Sequence, residues 1–150
     1  MDSAIESYLL QLKPQSLLEC STAPWSELER FCCTHAIPFS TTSPAAIAAC
    51  SQPFDLALVH DVLEGMDAPA GHQVLGLLRN SLARRIWLLV DPDSNWPLST
   101  LIALGFHKAD PASIIAKESY IYDLSSYNHK RSWNNPRFWA NPENFNKFRW

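Results

Sequence analysis

The sequence predicts an α/β domain with a mainly parallel sheet flanked by helices, followed by an aromatic-rich C-terminal extension. Three observations carry this. Between Phe54 and Phe106 short aliphatic runs alternate with helical stretches, and each run closes on an acid: Phe54-Asp-Leu-Ala-Leu-Val-His60 leads into Asp61, and Ile86-Trp-Leu-Leu-Val90 into Asp91. Aliphatic runs of this length, spaced by helices, are what parallel strands buried on both faces require. Residues 128–150 change character, holding six of the seventeen aromatic side chains, with asparagines and basic residues between them.

Along the chain, Ile5, Tyr8, Leu9 and Leu12 share one face of a helix over 4–12 that Pro14 stops. The apolar stretch 16–20 reads as a first strand. Trp25, Leu28, Phe31 and Cys32 then mark a helix over 24–35, with Pro24 suited to its first turn. Residues 36–39 form a weak second strand, which Pro38 pushes towards a sheet edge or an irregular segment. A small alanine-rich helix is expected at 44–50, a strand at 54–60 and a helix at 71–81. A strand at 85–90, a helix at 98–104 capped by Gly105, and a last strand at 120–124 complete the set. Strand–helix alternation of this kind implies a βαβ layout.

At 150 residues, with 47% hydrophobic and 18% charged content, the chain is long enough for one sizeable core and reads as globular. The expected division is one domain over 1–127 and a basic extension over 128–150 packed upon it. No apolar run approaches the roughly 20 residues of a membrane span, so no membrane partner is expected. The start, Met1-Asp-Ser-Ala-Ile-Glu6, has no basic region of a signal peptide, which makes the cytoplasm the default location. Cys20, Cys32, Cys33 and Cys50 crowd the first third and read as free thiols. Cys32-Cys33-Thr34-His35 lacks the spacing of a zinc site, so no metal is expected. A cysteine nucleophile with His35 or His60 as base is open, with nothing in the spacing to join them.

The run Phe54-Asp-Leu-Ala-Leu-Val-His-Asp-Val-Leu-Glu64 resembles the fourth strand and following "D-V-L-E-H" turn of class I S-adenosylmethionine-dependent methyltransferases, with Gly65 where that family often has histidine. Arg85-Ile-Trp-Leu-Leu-Val-Asp91 resembles the fifth strand, and the ending Leu101-Ile-Ala-Leu-Gly-Phe106 the turn that leads to the sixth. The resemblance covers about a third of the chain and implies a Rossmann-like, methyltransferase-type fold. It also implies cofactor contacts at Glu19, Asp61 and Asp91. Upstream the pattern departs. After Glu19 come Cys20, Ser21, Thr22 and Ala23, where the family places the glycines of its "E-x-G-x-G-x" loop. Those glycines let the backbone turn tightly and approach the cofactor without a Cβ. The ribose-binding acid after the second strand has no counterpart in Phe39-Ser-Thr-Thr-Ser43, and 14 residues between Phe39 and Phe54 leave little room for a third strand. No cofactor is therefore expected, and the reading is a non-catalytic binding or scaffold protein. A divergent methyltransferase is the alternative.

Asp61, Glu64 and Asp91 are expected together at the carboxyl edge of the sheet, where α/β folds bind ligands. One would orient a substrate or act as base, or else Asp61 and Asp91 merely cap the helices that follow. His60 is the histidine placed to face such a cleft, or to serve as a satisfied structural residue. The loop Asp91-Pro-Asp-Ser-Asn-Trp-Pro97 either lays Trp96 over the cleft or is an ordinary connection. In the extension, Lys130, Arg131, Arg137, Lys147 and Arg149 stand against Glu143 alone, a balance of +4 that leaves −7 on the rest of a chain of net charge −3. Arg131, Trp133, Arg137, Trp139 and Trp150 are its candidate interaction residues. They suit wrapping onto the acidic domain, docking to a protein partner, or stacking on single-stranded nucleic acid. A second resemblance, to an uncharacterised bacterial family of no assigned function, rests on the string from Asn135 to Trp150.

Overall fold

A computed structural model describes residues 3–127, together with Glu143 and Lys147. Helix α1 (Ser3–Leu12) leads into β1 (Leu17–Ser21), α2 (Ser26–Thr34) and the edge strand β2 (Phe39–Thr42). Strand β3 (Phe54–His60), α3 (Ala68–Leu77) and β4 (Ala83–Val90) follow. Then come α4 (Leu98–Ala103), the β5 (His107–Ile114) and β6 (Lys117–Asp123) hairpin, and the short α5 (Leu124–Tyr127). The six strands form one sheet in the order β2-β1-β3-β4-β6-β5.

The sheet is mixed. Strands β2, β1, β3 and β4 pair in parallel, whereas β6 runs antiparallel to both β4 and β5. The expectation of a mainly parallel sheet holds for the four strands joined through helices and fails at the hairpin, where a tight turn obliges β5 and β6 to run in opposite directions. The chain leaves β1 for β2 on one side and later fills β3 and β4 on the other. The strand order thus reverses at β1/β3, and ligands of open α/β sheets bind beside such a point.

Alternation along each strand separates two cores. Leu18, Ala57, Val59, Ile86, Leu88 and Tyr122 face the side that also holds Val74, Leu75 and Leu101 of α3 and α4. Leu17, Leu56, Leu58, Trp87 and Leu89 face the side that holds Ile5, Leu9, Leu28 and Phe31 of α1 and α2. Trp87 is completely buried and donates its indole N–H to Ser119 Oγ at 2.8 Å, which makes a polar ring tip tolerable inside a core.

Three expectations about element bounds need correction. The second strand lies at Phe39–Thr42 instead of 36–39, because residues 35–37 finish α2: Ala36 is left-handed (φ +54°) and Ile37 N–H returns to the Cys32 carbonyl at 2.9 Å. That helix-ending turn usually uses glycine, and alanine there hid it. The alanine-rich helix expected at 44–50 is only a 3-10 turn, Ile47–Ala49, whose one buried side chain is Ile47. Helix α3 begins earlier than expected, because Asp67 Oδ1 accepts the Ala70 N–H at 2.9 Å as its cap, and it ends in a wide turn over Leu78–Leu82. Strand β5 had no range assigned at all. Between β2 and β3 no strand intervenes among the described residues, in keeping with the short spacing there.

Two glycines are dictated by close approach. A Cβ on Gly71 would run into the Trp96 ring, and Gly105 has φ +93° with Tyr127 against it.

Candidate functional site

Strand registry brings the polar residues together. Ser21 ends β1 directly opposite His60, which ends β3, and Glu19 lies two residues back on the same face of β1. All three are buried, with His60 and Glu19 completely so. His60 Nε2 lies 2.9 Å from Glu19 Oε1, and the same oxygen accepts the Trp25 N–H at 2.8 Å. The Trp25 indole stacks on the imidazole with centroids 3.7 Å apart. His60 Nδ1 faces Asp61 Oδ2 at 2.8 Å and Ser21 Oγ at 3.2 Å. The ring donates to the carboxylate when Nδ1 carries a proton and accepts from the hydroxyl when it does not. Ser21 Oγ in turn accepts the Ala23 N–H at 3.0 Å. Glu19 Oε2 is buried with no hydrogen-bond partner among the described residues.

The polar chain continues to the surface through Asp61, which leaves β3 in a left-handed conformation (φ +53°). Lys117 Nζ reaches Asp61 Oδ1 at 2.8 Å, Asp91 Oδ1 at 2.7 Å and Glu64 Oε1 at 3.5 Å. Glu64 also accepts the Asp91 N–H at 2.9 Å, and Thr22 Oγ1 donates to the Asp61 carbonyl at 2.7 Å. Burial pulls the Asp61 carboxyl up, but hydrogen bonds from Lys117 and His60 outweigh it and hold the group below its ordinary value. Partial burial works against the Lys117 charge too, and the bonds to Asp61 and Asp91 with the Glu64 charge raise its pKa nonetheless. Beside these groups opens a cleft of about 680 Å³, lined by Thr22, Ser43, Asp61, Glu64, Met66 and Asp91 among others.

The expected cluster of Asp61, Glu64 and Asp91 therefore exists, and Lys117 gathers it. Nothing in the sequence pattern pointed to Lys117, because it arrives from the far hairpin. The helix-cap alternative fails for both aspartates. Asp67 caps α3, Pro97 occupies the cap position of α4, and the two carboxylates are spent on Lys117 and His60. His60 does not line the cleft but lies behind Asp61 and beneath Trp25. Trp96 is not a cover for the cleft either. It packs in the core against Gly71 and donates its indole N–H to the Leu63 carbonyl at 3.1 Å. The candidates Arg131, Trp133, Arg137, Trp139 and Trp150 lie outside the described residues.

The thiols are not part of this site. Burial, with smaller contributions from the Cys50 and Glu19 charges, pushes the Cys20 thiol up to about 12, and burial pushes Cys32 to about 11. Neither is activated as a nucleophile, and the polar neighbours of His60 are carboxylates and a hydroxyl. Among the described residues no group of three or more His, Cys, Asp or Glu side chains is arranged so that it could hold a metal ion. No helix among them is long and apolar enough to cross a membrane.

None of residues 19–25 adopts a positive φ, and the N–H groups of Ala23 and Trp25 point inward to Ser21 and Glu19. A family model matches residues 1–150 in full, described as a family of unknown function (DUF6231). The chain belongs to that family. No curated protein matches it. Among solved structures, a methyltransferase domain of bacterial CtHen1 is similar at 9% identity, over 79% of this chain and 93% of that one, with a TM-score of 0.46.

Proposed function

We propose that this DUF6231 protein is a non-catalytic binding protein on a methyltransferase-like α/β fold, one that no longer takes S-adenosylmethionine. One observation carries the reading: the β1–α2 turn is closed on itself. A cofactor loop works by presenting free backbone amides and open space at the end of the first strand. Here the Ala23 and Trp25 amides are already bonded to Ser21 Oγ and Glu19 Oε1. Glu19, the acid the family resemblance assigns to the cofactor, is turned to His60 and completely buried. Ser21 and His60 lie as a nucleophile and base would, yet both are buried and neither borders the cleft. We take the protein to be cytoplasmic, a reading supported by its two buried unpaired thiols, Cys20 and Cys32.

The cleft of about 680 Å³ at the β1/β3 reversal favours the second reading, a divergent methyltransferase, since its volume falls in the range of small-molecule sites. Titration calorimetry of the purified chain with S-adenosylmethionine and S-adenosylhomocysteine separates the two. The expected result is no heat of binding up to millimolar ligand. Micromolar affinity for either compound would sink the non-catalytic reading and direct attention to methyl acceptors.

A further inference from the structure

Five non-glycine residues among those described have left-handed backbones, and one of them, Asp61, pairs with the residue that follows two of the others. Ile115 (φ +51°) and Ala116 (φ +58°) make the two-residue turn between β5 and β6, and Asp61 (φ +53°) faces the first residue beyond it, Lys117. A hairpin turn with both residues left-handed is normally built from asparagine and glycine. A β-branched side chain there is an outlier, kept only where the surroundings over-determine the backbone.

Lys117 leaves the turn and bridges the exits of two other strands, touching Asp61 and Glu64 after β3 and Asp91 after β4. Its side chain is mostly covered, and the three carboxylates it holds are cleft-lining residues. Behind the turn the hairpin is jointed. The tip pairs Ser113 with Glu118 and Ile114 with Lys117, the base pairs His107 with Ile121 and Lys108 with Tyr120, and the register shifts between them. Ile114, paired with Lys117, is buried and anchors the β5 side of the tip. Glu118, beside Lys117 at the tip, pairs with Lys108 at 3.5 Å and accepts the Tyr120 hydroxyl.

We propose that the β5–β6 turn is a latch on the cleft. Lys117 closes it by tying together the ends of β3 and β4, and release of the ammonium frees Asp61, Glu64 and Asp91 to face whatever enters. The latch rests on reading the cleft as the binding site, but its mechanics can be measured without any ligand.

The test is amide hydrogen exchange on the full chain, comparing the native protein with Lys117→Met, Lys117→Arg and the double variant Ile115→Asn/Ala116→Gly. The latch requires that Lys117→Met raise exchange together at 61–65 and 113–118, by roughly tenfold or more, while the amides of β1 and the middle of β3 and β4 keep their protection. Lys117→Arg should restore both segments. The double variant, which relaxes the turn but keeps the ammonium, should leave 61–65 protected. Unchanged exchange in Lys117→Met would overturn the proposal. So would loss of protection across the whole sheet, which would make Lys117 a general brace. Faster exchange at 61–65 in the double variant would also overturn it, because the turn and not the ammonium would then be the tie. A calorimetric result for S-adenosylmethionine of either sign leaves these outcomes unaffected.

Discussion

Glu19 and Asp61 hold the two nitrogens of one imidazole, yet they belong to different solvents. Glu19 is completely buried under Trp25, and the Asp61 side chain is 36% exposed at the rim of the cleft. The hydrogen bonds differ by only 0.1 Å. What differs is the cost of breaking them. A buried carboxylate deprived of its partner cannot turn to water, whereas a rim carboxylate can. The inner half of this polar chain therefore holds the β1–α2 turn in place, and the outer half is the part that can rearrange.

The largest effect that would test this contrast is at its centre. His60→Ala should destabilise the fold by about 3 kcal/mol, because it takes the imidazole away from Glu19 inside the protein and leaves that carboxyl only the Trp25 N–H. Chemical denaturation measures it, and a loss under 1 kcal/mol, well below the ~3 kcal/mol a broken buried pair costs, would mean the inner half is no tighter than the outer. Trp25→Ala should cost less, about 2 kcal/mol, since the stacked ring is lost while the backbone N–H to Glu19 stays. That variant should also let solvent quench or exchange reach the Glu19–His60 pair, visible in the imidazole NMR signals.

The outer half answers to pH and salt. The Asp61 carboxyl sits below its ordinary value of 3.8, so its contribution is fully present above that pH and is lost as pH falls through the depressed folded-state value. Melting temperature followed from pH 5 downwards should show this step, and Asp61→Asn should flatten it. Asp91→Asn is the smallest change expected, about 0.5 kcal/mol or less at low salt and vanishing as salt screens the exposed side of the pair. A salt-independent loss of 2 kcal/mol, above the ~1 kcal/mol ceiling for exposed pairs, would place Asp91 with the inner half instead.

Much of the fold was legible because its signals are local. The aliphatic run 54–60 is observed without a shift of either end as Phe54–His60, and the run 85–90 lies within Ala83–Val90. The middle of each such strand is buried on both faces, so its positions are apolar and the pattern is dense. The edge strand was displaced by three residues because Pro38 and Ala36 speak of turn chemistry, and the hydrogen bond that ends α2 at Cys32 is invisible in composition. Strand β5 escaped because Lys108-Ala-Asp-Pro111 offers neither an apolar run nor clean alternation.

The site divides along the same line. Asp61, Glu64 and Asp91 were readable as neighbours, because an acid that follows a parallel strand emerges at the carboxyl edge whatever the rest of the chain does. The loss of glycine after Glu19 was readable too, since backbone freedom belongs to residue type. Which way each carboxylate turns was not. The resemblance turns Glu19 towards a cofactor, where one binds, and it faces His60 instead; Trp96, which the sequence leaves between a cleft cover and an ordinary connection, fills the core. Sequence by itself determined the buried strands β1, β3 and β4, their order of appearance and the absence of glycine after Glu19, all consequences of residue type and short-range spacing. Only the tertiary structure decided the pairing of Glu19 with His60 across 41 residues and of Lys117 with Asp91 across 26, because registry between strands, not spacing along the chain, sets which charges meet.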